Sequence, residues 1–163
     1  MNAIEGAAAM LLEGYAPASI LNERTSLSEF REAQSAGRLW VARSGEVLVG
    51  FALVEMLTPT MPHLEEIDVA PAHGRRGVGT ALVRAVCAWA AGCGYSEVTL
   101  TTFRSVPWNL PFYARLGFEE VPAEEIHPEV MAVVADEAAR GLERRSRVVM
   151  KYQIADGHRR STR

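Results

Sequence analysis

The sequence is poor in cysteine, in lysine and in long apolar runs. Its only thiols are Cys87 and Cys93. No further Cys or His lies at metal-ligand spacing from them, so they read as two reduced thiols and no metal is expected. The longest wholly apolar run, Ala85–Ala91, is far shorter than the ~20 residues that cross a bilayer. Ala7–Leu12 is apolar too, but Glu5 and Glu13 flank it and no basic segment precedes it. A secretory leader has such a segment, so a cytoplasmic protein with no membrane association is expected. Lys151 is the single lysine, and 17 basic against 20 acidic side chains leave a net charge of −3. A general nucleic-acid binder carries a basic face. No nucleic-acid partner is expected, and the basic residues of Arg140–Arg147 and Arg159-Arg160 read as solvated.

What is present suits an ordinary globular chain: 163 residues, 48% hydrophobic and 23% charged. A chain of that length buries most of its unfolded surface without a disulfide or a structural metal. No internal repeat or low-complexity linker divides it, so residues 1–155 are expected to form one domain, with residues 156–163 as a polar tail that frays. The apolar spacing predicts helices over Asn2–Tyr15 and Ser26–Ala36, the second opened by a Ser26/Glu29 capping box. Strands are expected at Leu39–Ala42 and Glu46–Met56 around a Ser44-Gly45 turn. Thr58–Pro62 reads as a loop, because proline cannot donate to a central ladder. Then follow a strand His63–Val69, a helix Thr80–Ala91, a strand Glu97–Phe103 and a short helix Asn109–Leu116 closed by Gly117. A strand Phe118–Val121, a helix Pro128–Arg140 and a strand Arg147–Ile154 complete the order. That order implies an α/β fold of the α+β kind: a central mixed sheet with helices on its faces.

The turn Gly74–Gly79, between a strand and a helix, carries the strongest chemical signal. Gly77 and Gly79 have no Cβ, so the backbone there can approach a ligand closely. Amides at the start of the next helix favour an anion, and Arg75 and Arg76 add positive charge. The pattern fits a pyrophosphate cradle. It lacks the Gly-Lys-Ser/Thr ending of a Walker loop, and Leu82 stands where a dinucleotide fingerprint needs its third glycine.

The stretch Val69-Ala-Pro-Ala-His-Gly-Arg-Arg-Gly-Val-Gly-Thr-Ala-Leu82 resembles the acetyl-CoA signature of the GNAT N-acetyltransferases. Asn109-Leu-Pro-Phe-Tyr-Ala-Arg-Leu-Gly-Phe118 resembles their second signature, and the likeness runs from about Ser26 to Ile154. Thr101–Asn109 is further similar to a bacterial subgroup. The resemblance implies a GNAT-like, mainly antiparallel mixed sheet flanked by helices on both faces. It also implies acetyl transfer from acetyl-CoA to an amine on a small molecule or peptide, by a monomer or homodimer. The pantetheine arm would pair with the backbone of Ile67 and Val69, where the strand His63–Val69 diverges from Glu97–Phe103. The pyrophosphate would meet Gly74, Arg75, Arg76, Gly77, Val78, Gly79 and Thr80. Three departures stand out. Gly74 replaces the family's usual Gln or Arg, and Val106 replaces the usual Asn, leaving Asn109 as the asparagine nearest the cofactor. No strand is visible ahead of the first helix.

An alkyl ammonium must lose a proton before it attacks. Strand alternation puts His63, Glu65, Ile67 and Val69 on one face and Glu66 and Asp68 on the other. His63 and Glu65, at the substrate end, are therefore the expected bases, with Glu66 as an alternative. Tyr113, in the second signature, is the expected acid for the leaving thiolate. Tyr15, Glu23, Arg24, Arg104 and Trp108 are candidates for the acceptor side. The competing function is an acyl-CoA-binding or sensing module with little turnover, motivated by Gly74 and the shifted Asn109.

Overall fold

The structure is a computed structural model and describes residues 1–155; the expected tail, 156–163, lies outside the described residues. Six strands form one sheet in the order β1-β2-β3-β4-β6-β5. They are β1 (Leu39–Ser44), β2 (Val47–Thr58), β3 (Met61–Val69), β4 (Glu97–Phe103), β5 (Phe118–Glu120) and β6 (Arg147–Gln153). Only β3 and β4 run parallel; the other neighbours are antiparallel. The helices are α1 (Asn2–Ala9), α2 (Ala18–Leu21), α3 (Leu27–Ser35), α4 (Val78–Gly92), α5 (Asn109–Arg115) and α6 (Pro128–Ala139). Among the described residues no strand precedes α1, and no helix is long and apolar enough to cross a membrane.

Helices cover both faces of the sheet. On one, Leu82, Val83, Val86 and Ala90 of α4 and Tyr113 of α5 pack on Val54, Leu64, Val98, Leu100 and Met150. On the other, Ile4 and Phe30 cover Phe51, while Val130 and Val134 of α6 cover Val149. Helix boundaries follow local chemistry. Ser26 and Glu29 form the reciprocal capping box, and Pro128 opens α6 where its missing N–H costs nothing.

Two expectations need correction. The first helix does not reach Tyr15: α1 ends at Ala9 and Met10–Leu12 forms a 3₁₀ turn. Glu13 is extended, Gly14 has φ +82°, and Pro17 holds the chain out of helix before the short α2 begins. Thr58–Pro62 is not a loop either. β3 begins at Met61, and the turn shrinks to Pro59-Thr60. Pro62 sits opposite Met56, where the β2–β3 register slips, so its missing donor falls at an irregularity rather than in a regular ladder.

Candidate active site

The site begins where two strands part. β3 and β4 pair only at His63–Thr99 and Leu64–Leu100, so beyond Leu64 one edge of β3 is open. Its other edge stays bonded to β2 as far as Ala70, whose N–H donates to the Val49 carbonyl at 2.9 Å. Antiparallel bonding alternates, so Asp68 and Glu66 turn their backbone groups to β2, and Val69 and Ile67 turn theirs to the open edge.

At the far end of that edge the chain enters α4 through a constrained turn. Arg75 has φ +55° and Gly77 φ +84°. Among the described residues, the backbone amides from Arg75 to Thr80 donate to no protein acceptor, and α4 has no side-chain cap. Successive unpaired amides at a helix start form an anion cradle, and Arg75 and Arg76 belong to it. The Gly74 amide does not join them, because it donates to the Pro71 carbonyl at 3.1 Å. The reason for glycine at 79 also changes. A Cβ there would meet the Phe112 ring at 3.3 Å, so this residue lets α4 pack closely on α5.

The other end opens into a cavity of about 510 Å³. Its walls include Glu65, Glu66, Ile67 and Asp68 of β3, Asn109 and Tyr113 of α5, and Glu23 and Arg24 after α2. Asn109 donates from Nδ2 to Thr102 Oγ1 at 3.0 Å, and Tyr113 follows one helical turn later. The Tyr113 side chain is buried between Phe112 and Phe118. Its hydroxyl makes no hydrogen bond among the described residues, although the residue lines the cavity. Burial, reinforced by the Asp68 charge, pushes its phenol far above the usual tyrosine range.

The expected strand alternation fails at Glu65. Leu53 faces Glu66 and Val54 faces Leu64, which leaves Glu65 as the extra residue of a β-bulge. The bulge moves His63 away from Ile67 and Val69. His63 is 1% exposed, is absent from the cavity wall, and hydrogen-bonds through Nδ1 to Thr99 Oγ1 at 2.9 Å. Burial holds its imidazole down at about 4, so it is neutral at ordinary pH. Glu65, in contrast, is open to the cavity it lines. Protein crowding around its carboxyl, then the charges of Glu55 and Glu137, raise it to about 7 despite Arg140 and Arg147.

Three residues important to this cavity gave no sequence signal. Arg147 donates to Glu137 through Nη2 at 2.7 Å and Nε at 2.9 Å, and Thr101 Oγ1 donates to Glu137 at 2.7 Å. Arg147 and Glu137 side chains are each 8% exposed. Arg147 therefore corrects the expectation of a solvated basic cluster. Of the acceptor-side candidates, Glu23 and Arg24 reach the cavity, and Glu23 pairs with Arg140 at 2.9 Å. Tyr15 stacks edge-on against exposed Trp108, Arg104 pairs with Glu120, and none of these three lines the cavity.

Comparison with known proteins agrees with this architecture. Residues 9–118 match the model of the acetyltransferase (GNAT) family. Human N-acetyltransferase 8 is 29% identical over 113 residues, covering 65% of this chain and 49% of the relative. The chain spans about half the length of such curated relatives; the human match lends nothing to a bacterial subgroup. The PaiA N-acetyltransferase of Thermoplasma acidophilum, solved with coenzyme A, superposes with a TM-score of 0.68 at 14% identity, covering 93% of this chain and 88% of that one. The ribosomal-protein-S18-alanine N-acetyltransferase of Escherichia coli gives 0.60 at 18%, covering 96% and 92%. With its signature turn, its parted strands and a family match over most of its length, the chain belongs to the acetyltransferase (GNAT) family.

Proposed function

We propose that this protein transfers an acetyl group from acetyl-CoA to a primary amine, with Glu65 as proton acceptor and Tyr113 as proton donor. The observation that carries the reading is the single cleft between β3 and β4. It has a row of unpaired amides at one end and a carboxylate and a phenol on its walls at the other.

The amides from Arg75 to Thr80, including Gly77, Val78 and Gly79, suit the pyrophosphate, with Arg75 and Arg76 adding charge. The open-edge groups of Ile67 and Val69 suit the amides of a pantetheine arm, and Asn109 flanks the same cleft. Acetyl-CoA supplies an activated thioester when bound there. Glu65 accepts a proton from the acceptor's ammonium, and the freed nitrogen forms the new C–N bond as the C–S bond breaks. An edge amide of β3 near Val69 stabilises the charge on the carbonyl oxygen. As the C–N bond forms, the amine nitrogen sheds its remaining extra proton, and Tyr113, having donated its own to the departing thiolate, takes that proton up. Its raised pKa does not oppose this role, because burial also makes a thiolate more basic; Cys87 shows the effect, its thiol pushed up to about 11 by burial.

The cavity wall favours a cationic acceptor. Seven carboxyl groups (Glu5, Glu23, Glu29, Glu65, Glu66, Asp68, Glu137) face three guanidinium groups (Arg24, Arg140, Arg147), and acid stays in excess even with Glu66 held protonated, raised to about 9 by burial and then by Asp68 and Glu5. Thiol release with acetyl-CoA and a panel of amines tests the reading. Release that depends on amine, and that falls in Tyr113→Phe, supports it. Binding of acetyl-CoA with no release on any amine favours the sensing module.

A further inference from the structure

One wall of the cavity supplies neither the base nor the acid of the proposed transfer. Glu5 of α1 and Glu66 and Asp68 of β3 all line it, and Thr25 draws two of them together. The Thr25 N–H donates to Glu5 Oε1 and its hydroxyl donates to Glu66 Oε2, both at 2.8 Å. Glu5 is 4% exposed, and its second oxygen, Oε2, is buried without a partner among the described residues. Burial, then the Asp68 and Glu5 charges, hold the Glu66 carboxyl well above the usual carboxylate range, so it keeps a proton that it shares with Asp68. The donor that is missing is the one for Glu5, because a buried acceptor left unpaired is costly.

Among the described residues none fills that need. Among the described residues none of the three carboxylates is in a salt bridge. The nearby Arg24 directs Nη1 to the carbonyls of Leu21 and Glu23 instead. The carboxylates do not converge at metal-ligand spacing, as no such group of three His, Cys, Asp or Glu occurs among the described residues. An ammonium, with three donors and a larger radius of contact, matches them better than a bare cation.

We propose that this wall binds a second cationic group of the acceptor, so that the preferred substrate is a diamine or polyamine. One nitrogen reacts beside Glu65 while another sits among Glu5, Glu66 and Asp68. The inference rests on the transfer reading above. Strand positions 65 and 68 lie roughly 10 Å apart at about 3.3 Å per residue, a reach that a chain of several methylenes covers. Leu12, Ile20 and Leu21 give the cavity an apolar strip for those methylenes.

The test compares three acceptors of equal chain length: 1,5-diaminopentane, pentylamine and 5-aminopentanol. The full chain and acetyl-CoA are used, and thiol release is followed. The diamine is expected to exceed both others in kcat/KM by about tenfold or more. Glu5→Gln, which keeps the oxygen that accepts from Thr25, and Asp68→Asn should each lower that ratio about tenfold. Using a ratio cancels any effect of these changes on the transfer step itself. Equal kcat/KM for all three acceptors, or a ratio unchanged in both variants, overturns the proposal. If no amine releases thiol, the transfer reading fails, and calorimetric titration of the diamine judges the wall alone. Binding that is lost in Asp68→Asn keeps the cation site; no binding removes it.

Discussion

Replacing Glu65 by Gln preserves the shape of the bulge and removes the one carboxylate of β3 that has no partner on β2. Its carboxyl is raised to about 7, first by the protein around it, then by Glu55 and Glu137, with Arg140 and Arg147 pulling the other way. The sign follows from the role. A base works only when ionised, so kcat/KM falls as pH drops through about 7. At pH 5, two units lower, roughly 1% of Glu65 is ionised and the rate is down about 100-fold. At pH 8 the substitution should cost about 10²–10⁴ in kcat/KM, the range for a positioned acid–base group. The limb near 7 should vanish from what activity remains, leaving only the titration of the amine itself. Thiol release from pH 5 to 9 with a single amine reads both effects. His63→Gln is the control: a neutral imidazole bonded to Thr99 behind the cavity should leave the limb in place. A Glu65→Gln protein with the wild-type rate and limb would refute the argument, and loss of the limb in His63→Gln would reassign the base.

Tyr113→Phe keeps the ring packed between Phe112 and Phe118 and removes the donor, so kcat should fall about 10²-fold while acetyl-CoA affinity, read by calorimetry, stays near wild type. Removing one partner of the buried Arg147–Glu137 pair strands the other charge. Arg147→Met should cost about 3–5 kcal/mol in denaturant unfolding, and the double change Arg147→Met with Glu137→Leu should recover much of that. Gly79→Val should lower stability through the clash with Phe112, before any direct effect on the cradle; unaltered unfolding with lost cofactor affinity would contradict that order of effects. Cys93, exposed, should react with a thiol reagent well before Cys87, which is partly buried and raised to about 11.

Much of this fold is written locally. The Ser26/Glu29 box, Pro128 at the first position of α6 and the Gly77 and Gly117 turns each act within a few residues, and the structure places them where the sequence pattern predicts. What could not be read was non-local. Nothing in Leu64-Glu65-Glu66-Ile67 tells which residue is the extra one, because a bulge is decided by the register against β2. That single residue moved His63 out of the expected site, while Glu66 and Asp68 kept the face that the alternation predicts. The Thr101–Glu137–Arg147 network joins β4, α6 and β6, and no spacing rule links such distant segments. Glu5 meets Thr25 across twenty residues of chain, and no local pattern signals that contact.

One cleft is proposed both to hold acetyl-CoA and to move its acetyl group to an amine. The most direct measurement is simultaneous quantification of free CoA thiol and acetylated amine, with the full chain, acetyl-CoA and a diamine. Amine-dependent thiol release is expected, with one acetylated product for each thiol freed. Tight calorimetric binding of acetyl-CoA with neither product would contradict it, and would make the protein a binding module on the same fold.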